Sequence, residues 1–203
     1  MKTKGKIFIL SGPSGSGKTT IYRRLLASPG LKNCLVKSIS VTTRPKRLGE
    51  VHGRDYIFVS RKMFEYKKRS GHFLESMKVF DNYYGTPKKN VLSHLKAGQN
   101  VLLCIDVKGA KVVSRVFPEA IKIFIKAPSL AILKKRLEAR GSESREHLQL
   151  RFETAREELK EAKDYQYVVV NDRIDDCYAK VEGIIWYELK AEQEPHCGCG
   201  CPH

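Results

Sequence analysis

The fold is decided by residues 6–19, KIFILSGPSGSGKT, near the start of this 203-residue chain. Lys6–Ser11 is an apolar run typical of a buried strand. From Gly12 the chain matches the spacing G-x-x-x-x-G-K-S/T and passes into a helical pattern over Lys18–Leu26. A glycine-rich turn between strand and helix presents backbone N–H groups to a polyphosphate. We therefore predict a phosphate loop in which Lys18 reaches the β and γ oxygens and Thr19 ligates Mg²⁺.

Outside this loop, short apolar runs alternate with helical patterns. Three further runs, Val101–Ile105, Ile121–Ile125 and Tyr167–Val170, have the composition of buried strands. Helices are predicted at Lys88–Ala97, Gly109–Val116, Ser129–Arg140, Glu146–Ala162 and Asp175–Leu189. This alternation predicts an α/β fold of the P-loop NTPase type, with a parallel sheet flanked by helices. Asp106 ends one of the strands, where a carboxylate would steady Mg²⁺.

Two segments interrupt the alternation and predict the division into parts. Residues 38–89 are rich in Gly, Tyr and basic side chains, with strand-like pieces at Tyr56–Val59 and Phe73–Met77, and we interpret them as an inserted substrate-binding lobe. Gly141–Glu146 has the character of a lid loop. The predicted parts are a core of 1–37, 90–138 and 154–190, a lobe of 38–89, a lid of 139–153 and a tail of 191–203.

Charge and cysteines limit the class of protein. Lys and Arg number 38 against 22 Asp and Glu, a net charge of +16 that favours contact with polyanions without choosing among them. The apolar run at the N-terminus is too short for a signal peptide or a membrane span. Cys34, Cys104 and Cys177 lack paired spacing, as expected of free thiols in a reducing cytoplasm.

The C-terminal residues 196–203, HCGCGCPH, stand outside this pattern. Three thiols and two imidazoles separated by glycines would suit Zn²⁺ or Cu(I). The spacing C-x-C-x-C is not that of a structural zinc site, so we expect a disordered tail instead.

Residues 42–58, TTRPKRLGEVHGRDYIF, fit the pattern T-T-R-x-x-R-x-G-E-x-x-G-x-D-Y-x-F. This pattern resembles the guanylate kinase signature, and the resemblance extends from about Gly5 to Leu189. It implies transfer of the terminal phosphate of ATP to GMP with Mg²⁺, and it leaves open whether dGMP is also an acceptor. Guanidinium groups bind phosphate through paired hydrogen bonds and offset the repulsion between two polyphosphates, so the arginines suit this chemistry.

The resemblance assigns an acceptor site. Arg44, Arg47, Tyr56 and Tyr84 would hold the GMP phosphate, and Glu75 and Thr86, in FLE and YYGT, would recognise guanine. A carboxylate accepts from the ring N1–H and the exocyclic amine together, while a Thr hydroxyl donates to O6; adenine lacks that donor pair. The full substrate set adds Ser40, Gly85 and Asp106.

The resemblance also assigns the donor site and the lid. Arg136, Arg140 and Arg151 would reach the ATP phosphates as the lid closes, joining Lys18 and Arg44 as catalytic residues. Asn171, in VND, would lie beside adenine. The predicted ATP-binding set is Gly12, Pro13, Ser14, Gly15, Ser16, Gly17, Lys18, Thr19, Thr20 and Asn171, and the metal ligands are Thr19 and Asp106.

One departure and several alternatives stay open. Relatives commonly carry an acid two residues before the position of Asp106, where this chain has Cys104. The fold also occurs in catalytically impaired phosphopeptide-binding modules, but the intact Lys18 and Thr19 argue against one. A basic nucleic-acid-binding ATPase and another nucleoside monophosphate kinase are the remaining rivals. We expect a monomer or homodimer without a stable nucleic-acid partner or membrane attachment.

Overall fold

The structure is a computed structural model that describes residues 4–139 and 145–191, which form nine strands, seven α-helices and a short 3-10 helix. The strands are β1 (Ile7–Ser11), β2 (Leu35–Lys37), β3 (Val41–Thr42), β4 (Ile57–Phe58), β5 (Phe73–Val79), β6 (Asn82–Pro87), β7 (Asn100–Cys104), β8 (Ile121–Lys126) and β9 (Tyr167–Val170). The helices are α1 (Lys18–Ala27), α2 (Arg61–Arg69), α3 (Lys88–Lys96), α4 (Val107–Val116), α5 (Leu130–Glu138), α6 (Arg145–Lys160) and α7 (Ile174–Lys190), and the 3-10 helix is Glu161–Asp164.

A five-stranded parallel sheet in the order β2-β7-β1-β8-β9 forms the centre of the molecule. All five residues of β1 are buried, because helices cover both faces of the sheet. Phe8 and Leu10 pack towards α1 and α7, while Ile7 and Ile9 pack towards α3 and α4. This architecture confirms the predicted fold class. It places the carboxyl ends of β1 and β7 side by side, and the phosphate loop and Asp106 follow these two strands.

A second sheet, in the order β4-β3-β6-β5, lies within the segment predicted to be an insertion. Strand β5 pairs with β6 as an antiparallel hairpin, and β6 pairs with β3. Helix α2 covers this sheet through Phe64, whose ring stacks on Phe73 at 4.7 Å and on Tyr83 at 5.5 Å. Sequence reasoning found β4 and the first five residues of β5 but missed β2, β3, β6 and α2, since short strands with polar neighbours carry little periodicity.

Several predicted boundaries are corrected. Helix α4 begins at Val107, because the Asp106 carboxylate caps it by accepting the Gly109 N–H at 2.7 Å. Arg145 and Glu146 belong to α6 and not to a loop. Since α6 runs on to Lys160, the predicted lid boundary at residue 153 falls inside a continuous helix. Arg140, the remainder of the predicted lid loop and the Cys/His tail lie outside the described residues.

Over residues 4–139 and 145–191, the structure contains no helix with the length and apolar character needed to span a membrane.

A substitution at Gly12, the first glycine of the phosphate loop, would test how tightly the loop packs on the sheet. Gly12 has φ +141, and a Cβ there would lie 2.0 Å from the Ile125 carbonyl oxygen, which is backbone and has little room to move. We expect Gly12→Ala to lower the free energy of unfolding by about 3 kcal/mol through overpacking and strain.

Gly53→Ala is the matched control, because Gly53 also has a positive φ but no atom within 4 Å of the place that a Cβ would take. Only backbone strain applies at Gly53, so we expect this substitution to lower the free energy of unfolding by about 1 kcal/mol. Urea denaturation of both variants measures the difference. Equal losses would show that the contact with Ile125 is relieved elsewhere in the loop.

Candidate functional site

One cavity of about 580 Å³ lies at the carboxyl edge of the central sheet, between the phosphate loop, the second sheet and α6. Its walls combine residues predicted for two different ligands. The lining includes Gly12, Ser14, Gly15, Gly17, Lys18, Thr19 and Asp106 on the phosphate-loop side, Ser40, Arg44, Arg47, Tyr56, Glu75 and Tyr84 on the second-sheet side, and Arg151 from α6. The predicted donor and acceptor sites are therefore halves of one continuous space.

The phosphate loop takes its shape from three glycines with positive φ. Gly12, Gly15 and Gly17 have φ values of +141, +86 and +93, which place this backbone in a region that L side chains rarely adopt. Gly17 is the N-cap of α1, and its carbonyl accepts from Thr20 and Ile21. The Lys18 ammonium donates to the carbonyls of Gly12 and Pro13, so its side chain folds back over the start of the loop.

The loop is supported from behind by Asn171. This buried side chain donates from Nδ2 to the Ser16 carbonyl at 2.8 Å. A Cβ on Gly17 would lie 2.1 Å from the same nitrogen, so the third glycine leaves room for Asn171. Arg136 in turn donates to the Asn171 carbonyl at 3.0 Å and to the Asp172 carbonyl at 3.3 Å. Asn171 therefore supports the phosphate loop, and Arg136 supports the turn after β9. Both residues lie beside the cavity.

Helix α6 contacts both halves of the cavity through Arg151. Its guanidinium donates to the Ser14 hydroxyl at 3.2 Å and lies 5.5 Å from the centre of the Phe80 ring. Phe80 is at the tip of the β5–β6 hairpin and has φ 53, the one positive value at a non-glycine position among the described residues. Such a conformation is strained for a bulky side chain and often occurs at functional sites.

The acceptor half is organised by an ion pair that fixes Arg44. The Arg44 Nη2 donates to both Glu50 oxygens, at 2.7 and 2.9 Å, and Nη1 donates to the Pro45 carbonyl. Glu50 also accepts the Arg47 N–H at 2.9 Å. Burial opposes ionisation of Glu50, but the hydrogen bonds from Arg44 and Arg47 outweigh it and lower its pKa. Tyr56 and Tyr84 lie beside Arg44 with their rings edge to face at 6.1 Å.

A buried acid forms the floor of this half. Glu75 is 6% exposed and accepts a hydrogen bond from the Thr86 hydroxyl at 2.6 Å. Burial raises the pKa of Glu75 to about 7, opposed by the bond from Thr86 and reinforced by the negative charge of Asp106. The predicted role of Thr86 is donation to guanine O6, whereas in the structure its hydroxyl donates to Glu75 and its side chain is fully buried.

The donor set for Mg²⁺ is small. Thr19 and Asp106 both line the cavity, and no group of three or more His, Cys, Asp or Glu suited to a metal occurs within the described ranges. Mg²⁺ usually takes one or two protein ligands and completes its shell with phosphate oxygens and water, so these two residues fit it. Burial raises the pKa of the Cys104 thiol, which lines the same cavity, so this side chain adds no negative charge there.

The remaining predicted residues lie close to the cavity without lining it. Pro13 and Ser16 belong to the loop, and Thr20 is exposed on α1. A Cβ on Gly85 would lie 2.9 Å from the Phe73 ring, so this glycine allows β5 and β6 to pack. The set outside the lining is Pro13, Ser16, Thr20, Gly85, Thr86, Arg136 and Asn171.

Sequence reasoning missed three residues that the structure brings to the site. Glu50 stands in the quoted motif, and its acidic character between two arginines was a usable signal. Phe80 is at a hairpin tip whose strands were only partly predicted. Glu158 lines the cavity from α6, and in the sequence it is indistinguishable from the other acids of that helix.

Comparisons with known proteins identify the family of the chain. The family model for guanylate kinase matches residues 4–188. The chain is 44% identical over 183 residues to a guanylate kinase of Clostridioides difficile, covering 90% of this chain and 87% of that protein. It is 44% identical over 185 residues to a guanylate kinase of Caldanaerobacter subterraneus, covering 91% of this chain and 88% of that protein.

A solved structure of guanylate kinase from Anaplasma phagocytophilum is similar in fold, with a TM-score of 0.76 and 34% identity. The match covers 97% of this chain and 90% of that chain. Fold and sequence thus agree over nearly the full length, and the chain belongs to the guanylate kinase family.

Proposed function

We propose that this protein transfers the terminal phosphoryl group of ATP to GMP, producing ADP and GDP by in-line displacement. The observation that carries the proposal is the single cavity lined by the phosphate loop on one side and by Arg44 and Glu75 on the other. Phosphoryl transfer needs little covalent help, so bringing two anions together in line is the main requirement on the protein.

On the donor side, the glycine-rich loop binds the ATP phosphates through its N–H groups, and Lys18 moves from loop carbonyls to phosphate oxygens. Thr19 and Asp106 would hold Mg²⁺, which neutralises charge on the migrating group when bound. Asn171 keeps the loop in shape through Ser16, and Arg136 keeps Asn171 in place. Both residues therefore serve ATP binding through the loop.

On the acceptor side, Glu75 accepts from the two N–H donors of guanine while Thr86 orients its carboxylate. Arg44, Arg47, Tyr56 and Tyr84 hold the GMP phosphate, and Glu50 keeps Arg44 in position before GMP arrives. A site that reads donors in this way rejects a base lacking them by about 10⁴-fold. Since these contacts read only the base and phosphate, dGMP is also an acceptor.

Arg151 connects the two halves, because it contacts Ser14 of the loop and Phe80 of the hairpin tip. A cation there offsets repulsion between the two nucleotides and closes the cavity to water. The free thiols suit a cytoplasmic enzyme, acting as a monomer or homodimer. A phosphopeptide-binding module is the alternative, and no feature of the site favours it.

The first test is a coupled assay of ADP formation with GMP, dGMP, AMP, UMP and dTMP as acceptors. We expect turnover with GMP and dGMP and almost none with the others. Lys18→Ala should lower kcat/KM by at least about 10³-fold, because an oriented cation on the transferred phosphate is lost. Lys180→Ala, which removes an exposed lysine of α7, should leave turnover unchanged. Lys18→Ala with near-normal turnover would contradict the donor-site assignment.

The second test uses the raised pKa of Glu75. Guanine binds the ionised carboxylate, and a proton competes with it, so GMP binding is full above pH 7 and weakens as the pH falls through about 7. We expect KM for GMP to rise about ten-fold from pH 8 to pH 6, following the ionised fraction of Glu75.

Glu75→Gln is the control for this profile, because the GMP phosphate titrates equally with both proteins. The variant should bind GMP more weakly, lose much of its preference for GMP over AMP, and show a flatter pH profile. If wild type and Glu75→Gln gave parallel profiles, the proton responsible would not be on Glu75.

A further inference from the structure

Asp55 lies immediately before Tyr56 of the acceptor half, but it is not among the residues that line the cavity. Its side chain is only 9% exposed. Burial of a carboxylate is costly unless hydrogen bonds and opposite charges replace the lost solvent. The groups that replace the solvent around Asp55 come from two parts of the molecule, its own loop and the central sheet with its helices.

One oxygen of Asp55 binds the loop to which the residue belongs. Oδ2 accepts from the Val51 N–H at 2.9 Å and from the Arg54 Nε and Nη2 at 2.9 and 2.7 Å. These bonds close residues 51–55 into a turn ahead of β4. The hydrogen bond from Val51, opposed by burial and reinforced by Arg54 and Arg23, lowers the pKa of Asp55 to about 2, so the carboxyl group is ionised at neutral pH.

The other oxygen faces the helix of the phosphate loop. Oδ1 accepts from the Arg23 Nη2 at 3.1 Å, and Arg23 belongs to α1, which begins at Lys18. A second cation, Lys37 at the end of β2, donates to the main-chain carbonyls of Arg54 and Asp55. The turn before β4 is therefore bound by two cations beside the central sheet, one on a helix and one on a strand.

This turn holds one edge of the second sheet. In the order β4-β3-β6-β5, the β5 edge packs on α4, where a Cβ on Gly109 would lie 3.1 Å from the Glu75 carboxylate. The turn leads into β4, at the opposite edge, and joins that edge to α1 and β2. A sheet that is held at both edges keeps its phosphate-binding side chains at a fixed distance from the phosphate loop.

We propose that Asp55 is a positioning residue of the acceptor half, which ties the turn before Tyr56 to the helix of the phosphate loop through Arg23. The Arg44 guanidinium lies 5.5 Å from the centre of the Tyr56 ring, so a shift of the turn would also shift the groups that hold the acceptor phosphate. In-line transfer depends on such placement, since an error of about 1 Å lowers the rate about 100-fold. The inference rests on the proposed function for the identity of the two nucleotides. Asp55 does not touch the reacting atoms.

The test compares separate nucleotides with a linked compound, in which adenosine and guanosine are joined by five phosphates so that it occupies both halves at once. Arg23 is the residue to change, because its side chain is 59% exposed and its loss leaves the hydrogen bonds within the turn in place. We expect Arg23→Met to raise the Kd of the linked compound about five-fold, measured by calorimetry with Mg²⁺, because linkage gains affinity only when both sites are correctly spaced. The Kd of ADP and of GMP alone should each change by less than about two-fold, because neither site includes Arg23.

Turnover gives a second readout that a purely structural role would not produce. Arg23→Met should lower kcat about five-fold with little change in KM for GMP, since the relative placement of the nucleotides matters for transfer more than for binding. Arg23→Lys should restore most of both losses, because lysine keeps a cation beside Asp55.

Arg24→Met is the matched control. Arg24 is the neighbouring arginine of α1, and it pairs with Asp175 of α7 at 2.7 Å. Its removal should leave the affinity for the linked compound and the turnover unchanged. Asp55→Asn combined with Arg23→Met should lose no more affinity for the linked compound than Asp55→Asn alone, because the ion pair is already broken in the single variant.

Three results would overturn the proposal. An unchanged affinity of Arg23→Met for the linked compound would show that the ion pair does not set the spacing. Equal weakening for the linked compound, ADP and GMP would indicate a general effect on structure, and additive losses in the double variant would show that Asp55 and Arg23 act separately. A wild type that binds GMP and the linked compound without phosphorylating GMP would refute the proposed function, whereas selective weakening of the linked compound by Arg23→Met would still support this inference.

Discussion

The site depends on one close approach, that of the phosphate loop to the carboxyl edge of the central sheet. Gly12 lies against the Ile125 carbonyl with no room for a side chain, so β1 ends directly in the loop. Asn171 holds the same loop through Ser16, after a strand on the far side of β8. A backbone that presents several N–H groups to a ligand cannot pair those groups with its own carbonyls. These contacts with neighbouring strands therefore hold the loop in its open shape.

Charge is distributed unevenly around this loop, and the distribution explains both halves of the cavity. Cations come from Lys18, Arg44 and Arg151, and each is placed by an acid, by main-chain oxygen or by a hydroxyl. Glu50 fixes Arg44 by two short hydrogen bonds, loop carbonyls receive Lys18, and the Ser14 hydroxyl receives Arg151. Paired in this way, the side chains lose less conformational entropy when a phosphate arrives than free chains would.

Buried acids are the costly part of the site. Burial raises the pKa of both Glu75 and Glu158 to about 7, so each carboxyl group gains or loses its proton near neutral pH. Such shifts cluster where side chains have tasks beyond stability. Both side chains line the cavity, and Glu75 accepts a hydrogen bond from the Thr86 hydroxyl.

The sequence by itself determined the parallel sheet, the phosphate loop and the family, because buried strands and the loop are local patterns with strict spacing. It also placed Lys18, Arg44 and Glu75 in motifs that proved to line one cavity. Only the tertiary structure decided how α6 meets the loop, that Thr86 serves Glu75, and that Asn171 and Arg136 stand behind the cavity. Most of these are contacts between residues far apart in the chain, which no local sequence pattern encodes. The position of a side chain such as Glu158 in the cavity depends on the neighbours that folding brings to it.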